Sequence, residues 1–220
     1  MIVLVSHEES QEVCKAYREA GHTAFSNDLK ECSGGHPEWH LQMDCYDAVR
    51  WMIAKYGRIN IIILHPECTK VCVSGNPTYG TGHPKHAERI ASARWIKSFW
   101  DFCVESADAV LMENPVGVLN SLEDFPKPYY IHPWQFGHME QKRTGIWSVN
   151  LPKLEPTDNV YEEMMKLPYK DRAKVHNASP GPKRAEQRSK TFRGIAKAFA
   201  SQLRPIIHSN PASLNLTTTI

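Results

Sequence analysis

The stretch INIIILHPEC, Ile59 to Cys68, decides how the rest of the chain is read. Its first part is almost wholly apolar, as a central parallel strand covered on both faces must be, because such strands have no solvent face to alternate with. HPEC follows directly, so the strand delivers an imidazole, a carboxylate and a thiol to its carboxyl end. The pattern recurs at AVLMENP, where a strand predicted over Ala109–Met112 runs into Glu113, Asn114 and Pro115. In open α/β sheets the crevice outside the carboxyl ends of the strands is where ligands bind. Parallel pairing of these two strands would bring Cys68 and Glu113 to one crevice.

Working outward, Met1–Val5 reads as a short strand and Glu9–Ala20 as an amphipathic helix ending at Gly21. A second strand is predicted over His22–Ser26, closed by Asn27 and Asp28, and a helix over Asp47–Tyr56 with Trp51 and Met52 inward. The Gly-, Pro- and Thr-rich segment Val73–His86 reads as a long loop, and Lys85–Glu105 as a helix with Ile90, Ala93, Ile96, Phe99 and Trp100 at helical spacing. Beyond Phe125 the texture turns to proline and aromatics, which predicts irregular or antiparallel additions. Lys166–Ser189 is polar and basic, Thr191–Leu203 returns to an amphipathic helix, and 206–220 reads as a disordered tail. Alternating strands and helices predict an α/β fold, a mostly parallel sheet flanked by helices, in one domain spanning 1–205.

At 220 residues, 41% hydrophobic and 23% charged, the chain has the composition of a globular protein with one substantial core. No apolar run approaches the roughly 20 residues of a membrane span. A net charge of +2 provides no global basic field, so contact with nucleic acid must rest on local clusters such as Lys70, Lys142, Arg143, Lys183, Arg184 and Arg188. MIVLVSHEES opens as a strand and then polar residues, unlike a signal peptide. The six cysteines are accordingly expected to be reduced thiols in a cytoplasmic protein.

A cysteine just beyond a buried strand, followed by Thr69 and Lys70, is placed where a cation or a helix terminus can lower its pKa. In order and spacing the motifs resemble those of cytosine C5 DNA methyltransferases, particularly the short, divergent members common in phages and prophages. HPECT at His65–Thr69 is similar to the family's PPC or FPC sequence, with Glu67 in place of the second proline. Glu113, Asn114, Pro115 and Val116 resemble ENV with one proline inserted. Gln141, Lys142 and Arg143 match the first half of the family's QxRxR strand, where Gly145 replaces the second arginine. The resemblance covers about Ile2 to Trp147, with a weaker match at Arg188–Leu203.

It implies a Rossmann-like fold that binds S-adenosylmethionine. AGHTAFSNDL at Ala20–Leu29 is similar to the carboxylate element after the second strand, making Asp28 the partner of the ribose hydroxyls with Leu29 beside it. Asp44 corresponds to the acidic residue at the adenine. SHEESQEV stands where the family has a Gly-rich turn, which makes Ser6, Glu8 and Ser10 its cofactor-facing positions, with Pro66 completing the set. The implied catalytic residues are Cys68, adding to carbon 6 of cytosine, Glu113 at ring nitrogen 3, Asn114, and Arg143 positioning the substrate. DNA or a cytosine nucleotide is the implied partner, in a bacterial host's cytoplasm if the chain is phage-encoded. Only about forty residues, 148–187, remain for target recognition, so a short sequence context, a single strand or a free nucleotide is compatible.

Two other readings compete. His65, Cys68, Cys72, His83 and His86 in one loop, with the pair His36 and His40, supply zinc-type ligands, although no standard finger spacing is present and no metal is expected. A scaffold whose altered Gly-rich turn holds no cofactor would instead serve as a binding protein, such as a phage anti-defence or nucleotide-binding factor.

Overall fold

The apolar runs pair into one seven-stranded sheet in the order β3-β2-β1-β4-β5-β7-β6. A computed structural model describes residues 1–175 and 190–206; the predicted tail beyond Ile206 and the basic residues Lys183, Arg184 and Arg188 lie outside the described residues. In chain order the elements are β1 (Ile2–Ser6), α1 (Glu12–Glu19), β2 (Thr23–Asp28), β3 (His40–Gln42), α2 (Cys45–Tyr56), β4 (Ile61–Leu64), α3 (Asn76–Tyr79), α4 (His86–Ser106), β5 (Ala109–Pro115), α5 (Leu119–Leu122), β6 (Tyr129–Ile131), β7 (Thr144–Val149), α6 (Tyr161–Met165), α7 (Tyr169–Arg172) and α8 (Arg193–Gln202). Strands β3, β2, β1, β4 and β5 are mutually parallel, while β7 runs antiparallel to both β5 and β6. This is the Rossmann-like, mostly parallel α/β sheet expected from the sequence, with the antiparallel strand β7, after Phe125, set between β5 and β6.

Period-two alternation along the strands divides the core into two layers. Val3, Val5, Ile61, Ile63 and Leu111 face α1 and α8, whereas Leu4, Ile62, Leu64, Val110 and Met112 face α2 and α4. Tyr17 of α1 is fully buried, and its hydroxyl donates to the Phe199 carbonyl of α8 at 3.1 Å, joining the two helices on one face. Among the described residues no helix is long and apolar enough to cross a membrane.

Several boundaries differ from the sequence reading for identifiable reasons. β2 runs on to Asp28 rather than stopping at Ser26, because Asn27 is buried and ties three strand ends together: its amide donates to the carbonyls of Leu41 and Met43 at 2.7 and 2.8 Å, and its oxygen accepts from the Ser6 hydroxyl at 3.1 Å. α1 begins at Glu12, after Gln11 in the left-handed region with φ 59°. β5 extends to Pro115, so Glu113 and Asn114 belong to the strand itself. The expected loop from Val73 contains a 3₁₀ turn at Val73–Gly75 and the short α3.

Candidate active site

The strand order reverses between β1 and β4, and a cleft of about 440 Å³ opens at the carboxyl edge beside this switch point. Leu64 pairs with Met112 in the parallel ladder between β4 and β5, so the next residues, His65 and Glu113, are set side by side by register. His65 Nδ1 lies 3.1 Å from Glu113 Oε2, with both side chains largely buried. Burial alone would raise the Glu113 pKa, but the Lys142 charge and the His65 hydrogen bond outweigh it and hold the carboxyl below its ordinary value. With Glu113 ionised, Nδ1 is the protonated nitrogen of His65.

Beyond His65 the chain is clamped. Asn114 donates to the Pro66 carbonyl at 3.1 Å, and the buried Arg89 of α4 donates to the carbonyls of Lys70 and Cys72 at 2.6 and 3.3 Å and to Asn76 Oδ1 at 2.8 Å. Cys68 is thereby held, partly exposed, next to Glu113 and Lys142, whose charges both act on its thiol. The group that acts on it most strongly is Cys72, which raises the Cys68 pKa, with burial adding to the rise. Cys68 in turn lowers that of Cys72 against burial, helped by the Ser74 hydroxyl at 3.0 Å and the backbone N–H groups of Gly75 and Ser74. Cys68 is therefore the proton-bearing member of the pair. Asn114 Oδ1 and His65 Nε2 are buried without a hydrogen-bond partner among the described residues, leaving two polar atoms at the ends of β4 and β5 that a polar ligand can satisfy.

The cleft contains three of the residues expected at a cofactor, Asp28, Leu29 and Asp44, together with Met43, Trp95 and Ile96. Each carboxylate also holds a backbone N–H, Asp28 that of Lys30 and Asp44 that of Tyr46 at the head of α2, and a second oxygen remains for a ligand hydroxyl or amine. Carboxylates with apolar and aromatic walls suit a nucleoside, so this donor set fits the adenosine part of S-adenosylmethionine. His7 also lines the cleft, in the left-handed region with φ 62° and edge-on to Trp95 and Phe99.

Ser6, Glu8, Ser10 and Pro66 do not line the cleft. Ser6 is buried in the Asn27 network, and Ser10 lies under Gly34, where a Cβ would press against the Ser10 carbonyl and Gln11. Glu8 turns inward and accepts from the backbone N–H groups of Val13 and Cys14 at 2.6 and 3.1 Å, filling the α1 N-terminus with the protein's own carboxylate. A helix N-terminus otherwise attracts a ligand's anionic group. Arg143 points away as well, its guanidinium 3.9 Å from the Tyr130 ring centroid, and Lys142 is the cation that reaches Glu113.

The rival zinc ligands are dispersed: His83 accepts from the Lys85 N–H, His86 meets the Tyr79 carbonyl, His36 stacks on Trp39, and His40 binds the Ser26 hydroxyl. No three His, Cys, Asp or Glu residues among those described are disposed to hold one ion.

Sequence reasoning missed Arg89, the closeness of Cys72 to Cys68 and the His65–Glu113 pair. Arg89 begins the buried stripe Arg89, Ala93, Ile96, Trp100 and Cys103 on α4, so its helical position was the available signal. The His65–Glu113 pair follows from strand register, which no local pattern contains.

No protein-family model matches the chain, and no curated protein matches it. Among solved structures it is similar to an E. coli prophage-encoded protein assigned as a DNA modification methyltransferase, at 12% identity and a TM-score of 0.45, over 77% of this chain and 56% of that one. It is also similar to a mutant form of Spodoptera frugiperda DNMT2, at 14% identity and a TM-score of 0.39, over 67% of this chain and 49% of that one. The chain thus spans about half the length of the solved structures it matches.

Proposed function

We propose that the chain is a cytosine C5-type methyltransferase that uses S-adenosylmethionine, with Cys68 as nucleophile and Glu113 as its acidic partner. The observation that carries this reading is the meeting of Cys68 and Glu113 at adjoining parallel strand ends, beside a cleft with two carboxylates and apolar walls. In the proposed reaction the Cys68 sulfur adds to carbon 6 of the ring and its proton passes to the neighbouring Cys72, whose pKa is lowered. Glu113, oriented by His65, takes up a proton from solvent as the base binds and donates it to ring nitrogen 3, so the charge pushed into the ring is neutralised where it develops. Asn114 and His65 offer the two unpartnered polar atoms to the base edge. Asp28 and Asp44 hold the nucleoside part of the cofactor, which when bound supplies the methyl group for carbon 5. A water molecule then takes the carbon-5 proton and the Cys68 sulfur leaves carbon 6, the ring-nitrogen proton returning to Glu113 and the Cys72 proton to Cys68.

DNA is the substrate class favoured here, with Lys142 and Lys70 near the site as phosphate partners. A base inside a duplex must first be flipped out, at a cost of a few kcal/mol.

Transfer of labelled methyl from S-adenosylmethionine to double- and single-stranded DNA, RNA and deoxycytidine nucleotides tests the reading. Incorporation into a cytosine substrate is expected, with none above background for Cys68→Ser. Labelling that survives Cys68→Ser would remove Cys68 as nucleophile.

A second reading, a nucleoside-binding protein without transfer activity, is favoured by Glu8 occupying the α1 terminus. Calorimetry separates the two: adenosine bound and S-adenosylmethionine not bound supports the binding protein.

A further inference from the structure

The Cys68 and Cys72 thiols act on one another, Cys72 raising the Cys68 pKa and Cys68 lowering that of Cys72. The Cys72 N–H donates to the Cys68 carbonyl at 2.9 Å, so the two cysteines lie one helical turn apart. Residues so placed have Cα atoms about 6 Å apart, within the span of a disulfide. The turn is fixed from several sides. Val73 N–H donates to the Val116 carbonyl at 3.0 Å and Val118 N–H to the Val71 carbonyl at 2.9 Å. Gly117 packs so closely beneath that a Cβ there would overlap the Val71 carbonyl, and Arg89 grips the Lys70 and Cys72 carbonyls from the other side.

We propose that Cys68 and Cys72 form a peroxide-driven, reversible dithiol–disulfide pair, a modification site at the lip of the cleft. Cys68 is partly exposed and Cys72 is 5% exposed, so the inner sulfur is open to a small oxidant and closed to a bulky one. The Ser74 hydroxyl and the N–H groups of the following turn stabilise the Cys72 thiolate, the form that reacts with peroxide. Its sulfur attacks one peroxide oxygen, the O–O bond breaks and hydroxide leaves, giving a sulfenic acid on Cys72. The Cys68 sulfur then attacks the Cys72 sulfur; the S–S bond forms, and the sulfenic hydroxyl leaves with the Cys68 proton as water. In sum two thiols and one hydrogen peroxide give one disulfide and two waters. Loss of methyl transfer on oxidation rests on the proposed function, in which Cys68 is the nucleophile; disulfide formation does not.

The test treats the reduced full chain with hydrogen peroxide, blocks free thiols with iodoacetamide and digests with trypsin without reductant. Cleavage after Lys70 separates the two cysteines, so the bond appears as peptide 59–70 joined to 71–85 and two hydrogens lighter than their sum. That species is expected, with Cys68 alkylation slowed about tenfold or more and restored by dithiothreitol. Cys72→Ser should abolish both effects, and Cys72→Ala serves if the serine variant fails to fold by circular dichroism. Oxidation of either cysteine to sulfinic acid without the linked peptides overturns the proposal, as does Cys68 linked to another cysteine or protected equally in the variant. Linked peptides in a chain that transfers no methyl group would leave the pair established and the methyltransferase reading rejected.

Discussion

His7 sits at the lip of the cleft with its ring against Trp95 and Phe99, and burial lowers its pKa from 6.5 to about 4. The folded chain thus favours the neutral ring. Its contribution to stability is complete above pH 6.5, where both states are neutral, and is lost as pH falls toward 4, where the unfolded state has taken up the proton. A shift of that size corresponds to about 3 kcal/mol. His7→Asn keeps a residue that tolerates the left-handed backbone and removes the titrating group. In urea unfolding series, the stability of wild type relative to His7→Asn should fall by about 3 kcal/mol between pH 6.5 and 4; a difference independent of pH would contradict a buried neutral ring. Glu8, raised to about 7 chiefly by burial, acts in the opposite direction but equally in both proteins, so it cancels from the comparison.

At the level of elements, α4 does for the reactive turn what no residue within the turn does. Arg89 reaches three acceptors in it from a position 3% exposed. Arg89→Ala would strand those acceptors at a cost of about 3 kcal/mol. Iodoacetamide should then alkylate Cys68 faster as the turn loosens, and Arg89→Lys should restore only part of the loss because one ammonium cannot span the fork. Arg94→Ala, on the exposed face of the same helix, should change stability by less than about 0.5 kcal/mol, as measured in the same denaturation series. The main elements were readable from sequence because β4 and β5 begin as unbroken apolar runs, while α4 and α8 are long enough for burial to impose a helical period. β3 and β6 have three residues apiece and carry no period to detect. Cys68 and Glu113 were legible as polar residues that end apolar strands, and both meet at the site. The inward turn of Glu8 and the outward turn of Arg143 depend on backbone angles and neighbours that a linear pattern does not encode.

For the whole molecule, the last described helix completes the core that the first one begins. α8 inserts Ile195, Ala196, Phe199 and Leu203 into the same layer as α1 and the outer face of β1 and β4. Its entry is gauged by Gly194, whose N–H donates to His138 Nε2 at 2.8 Å and whose Cα lies so near the Phe136 carbonyl that a Cβ would overlap it. Gly194→Ala should therefore lower the unfolding free energy by about 2 kcal/mol, read from the denaturant midpoint; an unchanged midpoint would mean that α8 does not dock in this way. The loop from Pro133 to Glu140 is thus held by α8, while Glu140 accepts the N–H groups of Lys174 and Val175 at 3.1 and 3.0 Å, fixing the approach to Lys142. Glu8 adds a different kind of completeness. The first turn of α1 carries its acceptor in covalent form, so the N–H groups of Val13 and Cys14 need no visiting molecule to satisfy them. On the proposed reading, discrimination among visitors passes to the walls of the cleft, where shape and two aspartates decide admission.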